Sequence, residues 1–85
     1  MMILLYFDWV GNSKELKEWE TLIIEACEKT DVEYKGLYGS MNLKWNFVSV
    51  FEAEAYESFL TMGKNVARPQ KMPHNIVEVL LPQNL

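Results

Sequence analysis

The sequence is short of the residues that build disulfides, metal sites and phosphate-binding loops. Its 85 residues include one cysteine, one histidine and four glycines. A single cysteine cannot close an internal disulfide, and one histidine with one cysteine on different segments argues against a zinc site. No glycine-rich phosphate loop and no G-x-S-x-G nucleophile motif is present. We therefore expect a reducing, cytoplasmic environment, no metal and no cofactor.

Positive charge and long apolar segments are also scarce. Arg68 is the only arginine, and 12 acidic residues outnumber 8 basic ones, which gives a formal net charge of −4. A nucleic-acid-binding surface needs the opposite balance. The apolar N-terminal run ends at Asp8; it is too short to cross a bilayer and lacks the basic start of a signal peptide. These features predict a cytoplasmic chain that binds neither nucleic acid nor membrane.

What the sequence does contain is a globular composition rich in aromatic residues. Hydrophobic residues make up 49% of the chain and charged residues 24%, with three Trp, four Tyr and four Phe. A chain of this length predicts one domain, residues 1–85, because a second domain would be too short to bury a core. Aromatic side chains in this number indicate a deep core, an interface or a pocket.

Hydrophobic periodicity predicts six secondary-structure elements. Segments with strand-like patterns or helical amphipathicity occur in the order strand 2–10, helix 13–29, strand 32–38, strand 43–52, helix 54–66 and strand 74–81, with a turn at 39–42. Asn12, three residues before Glu15, predicts the N-cap of the first helix. The β-α-β-β-α-β order is the ferredoxin-like α+β plan. It predicts a four-stranded antiparallel sheet with strands 1 and 3 in the centre and both helices on one face.

Alternation along each strand divides its residues between the face under the helices and an open face. We assign Val48 and Val50 to the helix side, and we assign Asp8 to the open face because a carboxylate is costly in a core. The residues then predicted for ligand binding or a dimer interface are Tyr6, Tyr34, Tyr38, Trp45, Phe47, Ser49, Phe51, Ile76 and Leu80. So broad an aromatic face predicts a cover, in the first instance a second copy of the chain.

A resemblance supports the same expectation. The phrases GLYGSMNLKWNFVSVFEAEAYESFL and HNIVEVLLP, together with the order of elements, resemble small members of unknown function in the dimeric α+β-barrel superfamily. The resemblance implies that two protomers pack open face to open face and enclose a cavity. Members of that superfamily include cofactor-free monooxygenases, lactone isomerases, haem-dependent enzymes and ligand-sensing domains. No catalytic residue of those enzymes corresponds to a position in this sequence.

Three residues are candidates for catalysis: His74, Asp8 and Glu78. The imidazole is the side chain whose ordinary pKa lies near neutrality, so His74 is an acid/base group, a haem ligand or a residue that bonds backbone in the loop after Pro73. Asp8 and Glu78 are expected on neighbouring strands of the open face. There they would act as acid and base, or bond tyrosine, tryptophan or the partner chain.

Two further residues have competing interpretations. Arg68 lies in a proline-flanked loop, where it binds an anion, gates a cavity or is simply a solvated charge. Cys27 falls on the apolar stripe of the first helix, which indicates a packed thiol rather than a nucleophile.

Four functions are therefore compared. The first is a homodimeric domain that binds a small apolar or aromatic ligand in a cavity on the open face. The second is a small enzyme, monooxygenase-like or isomerase-like, with haem or with no cofactor, which leaves open whether the chain is catalytic. RNA recognition fits the strand LKWNFVSVF only superficially, because the basic–glycine–aromatic pattern is missing. Acylphosphatase-like hydrolysis lacks an arginine after the first strand, where Gly11-Asn12-Ser13 stands.

Overall fold

A computed structural model describes residues 1–40 and 44–85. Its elements are β1 Met2–Phe7, α1 Ser13–Glu28, β2 Val32–Gly39, β3 Phe47–Ala53, α2 Tyr56–Lys64 and β4 Asn75–Leu80. The predicted element order is confirmed, and most element ends lie within a few residues of the prediction. The predicted turn residues Met41 and Asn42 and the predicted strand residue Leu43 lie outside the described residues. Within the described ranges, no helix has the length and apolarity needed to cross a membrane.

The four strands form one antiparallel sheet in the order β2-β3-β1-β4, so β1 and β3 are central as predicted. Aromatic contacts place both helices on one face. The ring of Phe7 lies 5.2 Å from that of Trp19 in α1, and the ring of Phe51 lies 5.1 Å from that of Phe59 in α2. Phe51 pairs with Ile3, four residues before Phe7, so the two phenylalanines share a face. The fold is thus a ferredoxin-like α+β sandwich with a helix face and an open face.

The core lies on the helix face and is dominated by aromatic and aliphatic side chains. Its buried hydrophobic residues include Ile3, Phe7, Trp9, Leu16, Trp19, Ile23, Ala26, Cys27, Val32, Phe51, Ala53, Phe59, Met62 and Met72. Leu22 in α1 and Leu60 in α2, which helical periodicity also predicts on the apolar side, lie outside this core, since Leu22 is 52% exposed and Leu60 is 49% exposed.

The start of α1 confirms the predicted cap. The Asn12 side-chain oxygen accepts a hydrogen bond from the Glu15 backbone N–H at 2.8 Å, and the Asn12 backbone N–H donates to Glu15 Oε1 at 3.0 Å. The Trp9 indole N–H also donates to the Asn12 carbonyl oxygen at 3.2 Å. Gly11 permits this close approach, because a Cβ there would lie 2.8 Å from Trp9 Nε1. The end of β1 and the start of α1 are therefore held together.

A β-bulge in β2 changes which residues face the helices. The pairing of β2 with β3 shifts register between Tyr34 and Gly36, and Gly36 has a φ of 134°, which L residues rarely adopt. Tyr34 pairs with Phe51 on the helix face, whereas Tyr38 pairs with Val48 on the open face. The prediction that both tyrosines lie on the open face is wrong for Tyr34. One extra residue in the bulge reverses the parity that simple alternation assumes.

The prediction of which alternate residues of β3 face the helices is the reverse of what the structure shows. Phe47, Ser49 and Phe51 were expected on the open face, but Ser49 and Phe51 are completely buried and Phe47 stacks on a core ring of β1 with centroids 5.7 Å apart. Val48 and Val50 lie on the open face instead. Both sets of side chains suit a buried surface, so alternation separates the two faces without telling which one meets the helices. The larger rings fill the space between sheet and helices.

Candidate functional site

The open face has an apolar centre made mostly of aliphatic residues. Its apolar residues are Met2, Leu4, Tyr6, Tyr38, Val48, Val50, Ile76 and Leu80. The outer ones are the most accessible, with Tyr38 53% and Ile76 51% exposed. Of the residues predicted for this face, the structure places there Tyr6, Tyr38, Ile76 and Leu80. Two tyrosines remain, so the surface is less aromatic than expected.

Charged side chains lie around this apolar centre. At one corner, Glu33 pairs with Glu52 across the strands, and Lys35 Nζ lies 2.9 Å from Glu33 and 3.4 Å from Glu52. The hydrogen bond that Lys35 donates to Glu33, together with the negative charges of Glu33 and Glu52, raises the pKa of Lys35. Glu78 lies on the edge strand β4, opposite Leu4. The open face therefore has an apolar middle and a charged periphery.

A pocket of about 530 Å³ lies where β1 ends and β4 begins. We call it the strand-end pocket, and it is lined by Asp8, Lys44, Trp45, Arg68, Pro73, His74 and Asn75. The only histidine and the only arginine of the chain thus line the same space. Trp45, predicted on the open face, precedes β3 and forms part of this pocket. The volume falls in the usual range for small-molecule sites.

Asp8 connects two walls of the strand-end pocket. Its backbone N–H donates to the His74 carbonyl oxygen at 3.2 Å, and its Oδ1 accepts a hydrogen bond from the Asn46 backbone N–H at 3.1 Å. Trp45 precedes Asn46 in the chain, and the Lys44 ammonium lies 5.7 Å from the centroid of the Trp45 ring, in cation–π range. Asp8 therefore holds both the start of β4 and the segment that carries Trp45.

The structure brings two of the three catalytic candidates together. Asp8 and His74 both line the strand-end pocket, whereas Glu78 does not. Glu78 pairs with Leu4, which precedes Asp8 by four residues, or about 13 Å along a strand. The two carboxylates predicted to work as an acid–base pair therefore do not meet. Among the described residues, no group of three or more His, Cys, Asp and Glu side chains could hold a metal ion.

Inside the helix-side core, Tyr34 makes a polar contact with α1. Its hydroxyl donates to Glu20 Oε2 at 2.8 Å. Burial, aided by the Glu20 carboxylate, raises the pKa of Tyr34 above its ordinary value, and the opposing effect of the nearby Ser49 hydroxyl is smaller. The Ser49 hydroxyl is fully buried and makes no hydrogen bond of ordinary geometry within the described chain. Tyr34 and Ser49 therefore belong to the interior rather than to an exposed binding face.

Cys27 is a packed thiol, as the helix pattern predicts. It is 3% exposed on α1, and burial, followed by the charge of Glu28, raises its pKa to about 11. A thiol with this pKa is almost entirely protonated at neutral pH and is a poor nucleophile.

Sequence reasoning missed several residues that the structure places in these two sites. Val48 and Val50 occupy the centre of the open face, and Lys44 and Asn75 line the strand-end pocket. Gly36 carried a usable signal, since a glycine inside an alternating strand often marks a bulge. No local pattern indicated that the loop residue Arg68 would come beside the end of β1, because that contact depends on the path of a loop.

Comparison with known proteins does not assign the chain to a family. No protein-family model matches the chain, and no curated protein shows significant sequence similarity to it. The fold and the two surface features are therefore the basis of the functional proposal.

Proposed function

We propose that this protein is a homodimeric small-ligand-binding protein whose two copies pack open face to open face. The observation that carries the proposal is the uncovered apolar centre of the open face. Four strands about 4.8 Å apart and six residues about 3.4 Å apart give the whole open face, charged rim included, a projected area of roughly 400 Å². Apolar patches of a few hundred Å² usually mark interaction sites, and an apolar centre with a charged rim is the usual anatomy of an interface.

A second copy of the chain is the occupant that best suits this face. An isologous contact needs a surface that matches itself, and the centre formed by Leu4, Tyr6, Val48 and Val50 carries no charged side chain. The roughly 400 Å² projection is about half of the ~800 Å² of accessible surface that each partner buries in a stable dimer, and a surface with side-chain relief has a larger accessible area than its projection. An 85-residue domain also has a small core, which association would supplement. The resemblance to the dimeric α+β-barrel superfamily agrees with this packing.

The ligand-binding part of the proposal rests on the strand-end pocket. Asp8 follows β1 on the alternation that puts Leu4 and Tyr6 on the open face, and His74 precedes β4 on the alternation of Ile76. The pocket therefore borders the proposed interface. A ligand with an apolar ring would contact Trp45 and lie beside the partner copy.

Size-exclusion chromatography with light scattering tests the dimer. We expect a mass near twice the 10.0 kDa of the chain at micromolar concentration. Ile76→Lys places a charge on the open face and should shift the mass to that of one chain. Leu22→Lys is the matched control, because Leu22 is 52% exposed on α1 and Ile76 is 51% exposed on β4. A wild-type monomer, or equal dissociation by both variants, would contradict the proposal.

A small enzyme is the second candidate, supported by the meeting of Asp8 and His74 in one pocket. Glu78 does not line this pocket, and the Asp8 carboxylate already accepts a hydrogen bond from the Asn46 backbone N–H. Incubation in air with a panel of phenols and quinones, followed by mass spectrometry of the small molecules, tests the idea. Turnover that disappears in His74→Gln would favour the enzyme, and no turnover across the panel would favour a binding protein.

A further inference from the structure

The strand-end pocket differs in charge from the chain as a whole. The chain carries a formal charge of −4, yet the pocket lining contains Lys44 and Arg68 against one carboxylate, that of Asp8. One of the two carboxylate oxygens of Asp8 already accepts a hydrogen bond from the Asn46 backbone at 3.1 Å. The pocket is therefore a locally cationic region on an acidic protein.

The charge of Arg68 is not neutralised by a salt bridge to any residue that the structure describes. Arginine presents a planar fork of N–H donors that matches a carboxylate or a phosphate. Its exposure at the pocket leaves that fork accessible to a ligand. The neighbouring His74 would add a further N–H donor.

Trp45 supplies the second recognition element. It is half-buried, lines the same pocket as Arg68, and already lies in cation–π range of the Lys44 ammonium. An indole wall favours contact with a planar ring. The hydrogen bond from the adjacent Asn46 backbone to Asp8 holds this wall in place, so the surface is partly preorganised.

We infer that the strand-end pocket binds a small planar ring bearing an anionic group, with Trp45 against the ring and Arg68 on the anion. This inference names the ligand class of the proposed ligand-binding function, but it needs only residues of one chain. The inference can therefore be tested independently of the proposed dimer. Asp8 is a positioning residue in this site, since its carboxylate orients the walls and does not favour an anion.

Titration with 2-naphthoate, followed by NMR of the ¹⁵N-labelled full chain, tests the inference. We expect saturable shifts of the Trp45 indole and Arg68 side-chain signals, with the Trp45 signal identified by its loss in Trp45→Phe. The neutral analogue 2-naphthamide should bind at least about tenfold more weakly, because it lacks the charge-assisted hydrogen bonds. Inorganic phosphate should also bind more weakly, since it offers no ring. Equal binding of naphthamide or of phosphate would overturn the assignment of the anion or of the ring.

Variants separate a specific site from general charge attraction. Arg68→Gln should weaken naphthoate binding by roughly tenfold or more, and Arg68→Lys should have a smaller effect because it keeps the charge. Lys71→Gln is the control, since Lys71 lies in the same loop but does not line the pocket. Unchanged binding in Arg68→Gln, or the same loss in Lys71→Gln, would refute the site. The backbone spectrum and unfolding temperature of each variant report whether it is folded.

Substitutions of Asp8 test whether its carboxylate positions the pocket walls without itself favouring the anion. Asp8→Asn keeps an acceptor for the Asn46 N–H and removes the negative charge, so naphthoate should bind about threefold more tightly. Asp8→Ala removes the acceptor and should weaken binding. Weaker binding in Asp8→Asn would contradict the positioning role. Naphthoate binding by a monomer would support this inference and refute the dimer, whereas a dimer that does not bind naphthoate would do the reverse.

Discussion

Replacing Gly36 by alanine should destabilise the fold, because the bulge in β2 depends on a backbone conformation that suits glycine. Gly36 has a φ of 134°, and the atoms nearest to an added Cβ are ring atoms of Tyr38 at 3.4 Å and beyond. The new methyl group therefore fits, and the cost is conformational. Strain of this kind is worth about 1–3 kcal/mol. The lower entropy of the unfolded alanine chain offsets about 0.4–1 kcal/mol of it, so the net loss lies between about 0 and 2.6 kcal/mol, with roughly 1–2 kcal/mol as the middle of that range.

Urea and thermal unfolding measure this loss directly. For a domain of this size, about 1–2 kcal/mol corresponds to a decrease in unfolding temperature of roughly 5–15 °C. Gly39→Ala is the matched control in the same strand, because among the described residues no atom beyond its chain neighbours lies within 4 Å of the added Cβ, and its φ is not positive. We expect that control to change stability by about 0.5 kcal/mol or less.

The bulge also sets the environment of Tyr34, which gives a second readout. The Tyr34 ring lies 5.3 Å from the Phe51 ring, so NMR contacts between the two rings report the native register. If Gly36→Ala removes the bulge by a register shift, the contacts between the two rings should disappear, and the free energy of unfolding should decrease as well. Equal stability of Gly36→Ala and Gly39→Ala would refute the reasoning.

Three other predictions follow from the interior and the helices. Gly63→Ala should stabilise the protein by about 0.5 kcal/mol, seen in thermal unfolding, because Gly63 lies within α2 and no atom of the described residues outside the adjoining helix backbone lies within 4 Å of an added Cβ. Cys27 should resist iodoacetamide at pH 8 in native protein and react in urea, as judged by mass; fast native labelling would contradict its burial. The raised pKa of Tyr34 should contribute stability that is complete below the unfolded tyrosine pKa of about 10 and falls as pH rises above it. Tyr34→Phe should remove that fall, measured as urea stability against pH, whereas Tyr38→Phe should not.

The sequence predicted the elements of this fold because each one has a local signal. The helix of Ser13–Glu28 begins at a capping box formed by Asn12 and Glu15, which are three residues apart. The strands are marked by their composition and by the turns between them. The order of these elements, with right-handed crossovers, then leaves few topologies, and the observed strand order is the expected one.

The faces of the strands could be predicted only in part. For β1, the following residue Asp8 indicated which side chains face the helices, because a carboxylate is too costly for the core. In β3, valines alternate with phenylalanines, so either set could have faced the helices. Which set does so depends on the volume between the sheet and the helices, and that volume is a property of the packed molecule.

The scarcity of histidine, cysteine and arginine in the chain limited the candidate chemistry from the start. Those few residues indicated what the chain could not assemble, but their spacing in sequence said nothing about their distances in space. Tertiary structure alone brought His74 and Arg68 beside Asp8 and kept Glu78 about 13 Å away along the sheet. The physical reason is that periodicity and capping act over a few residues, whereas a pocket forms where strand ends and loops from distant parts of the chain meet.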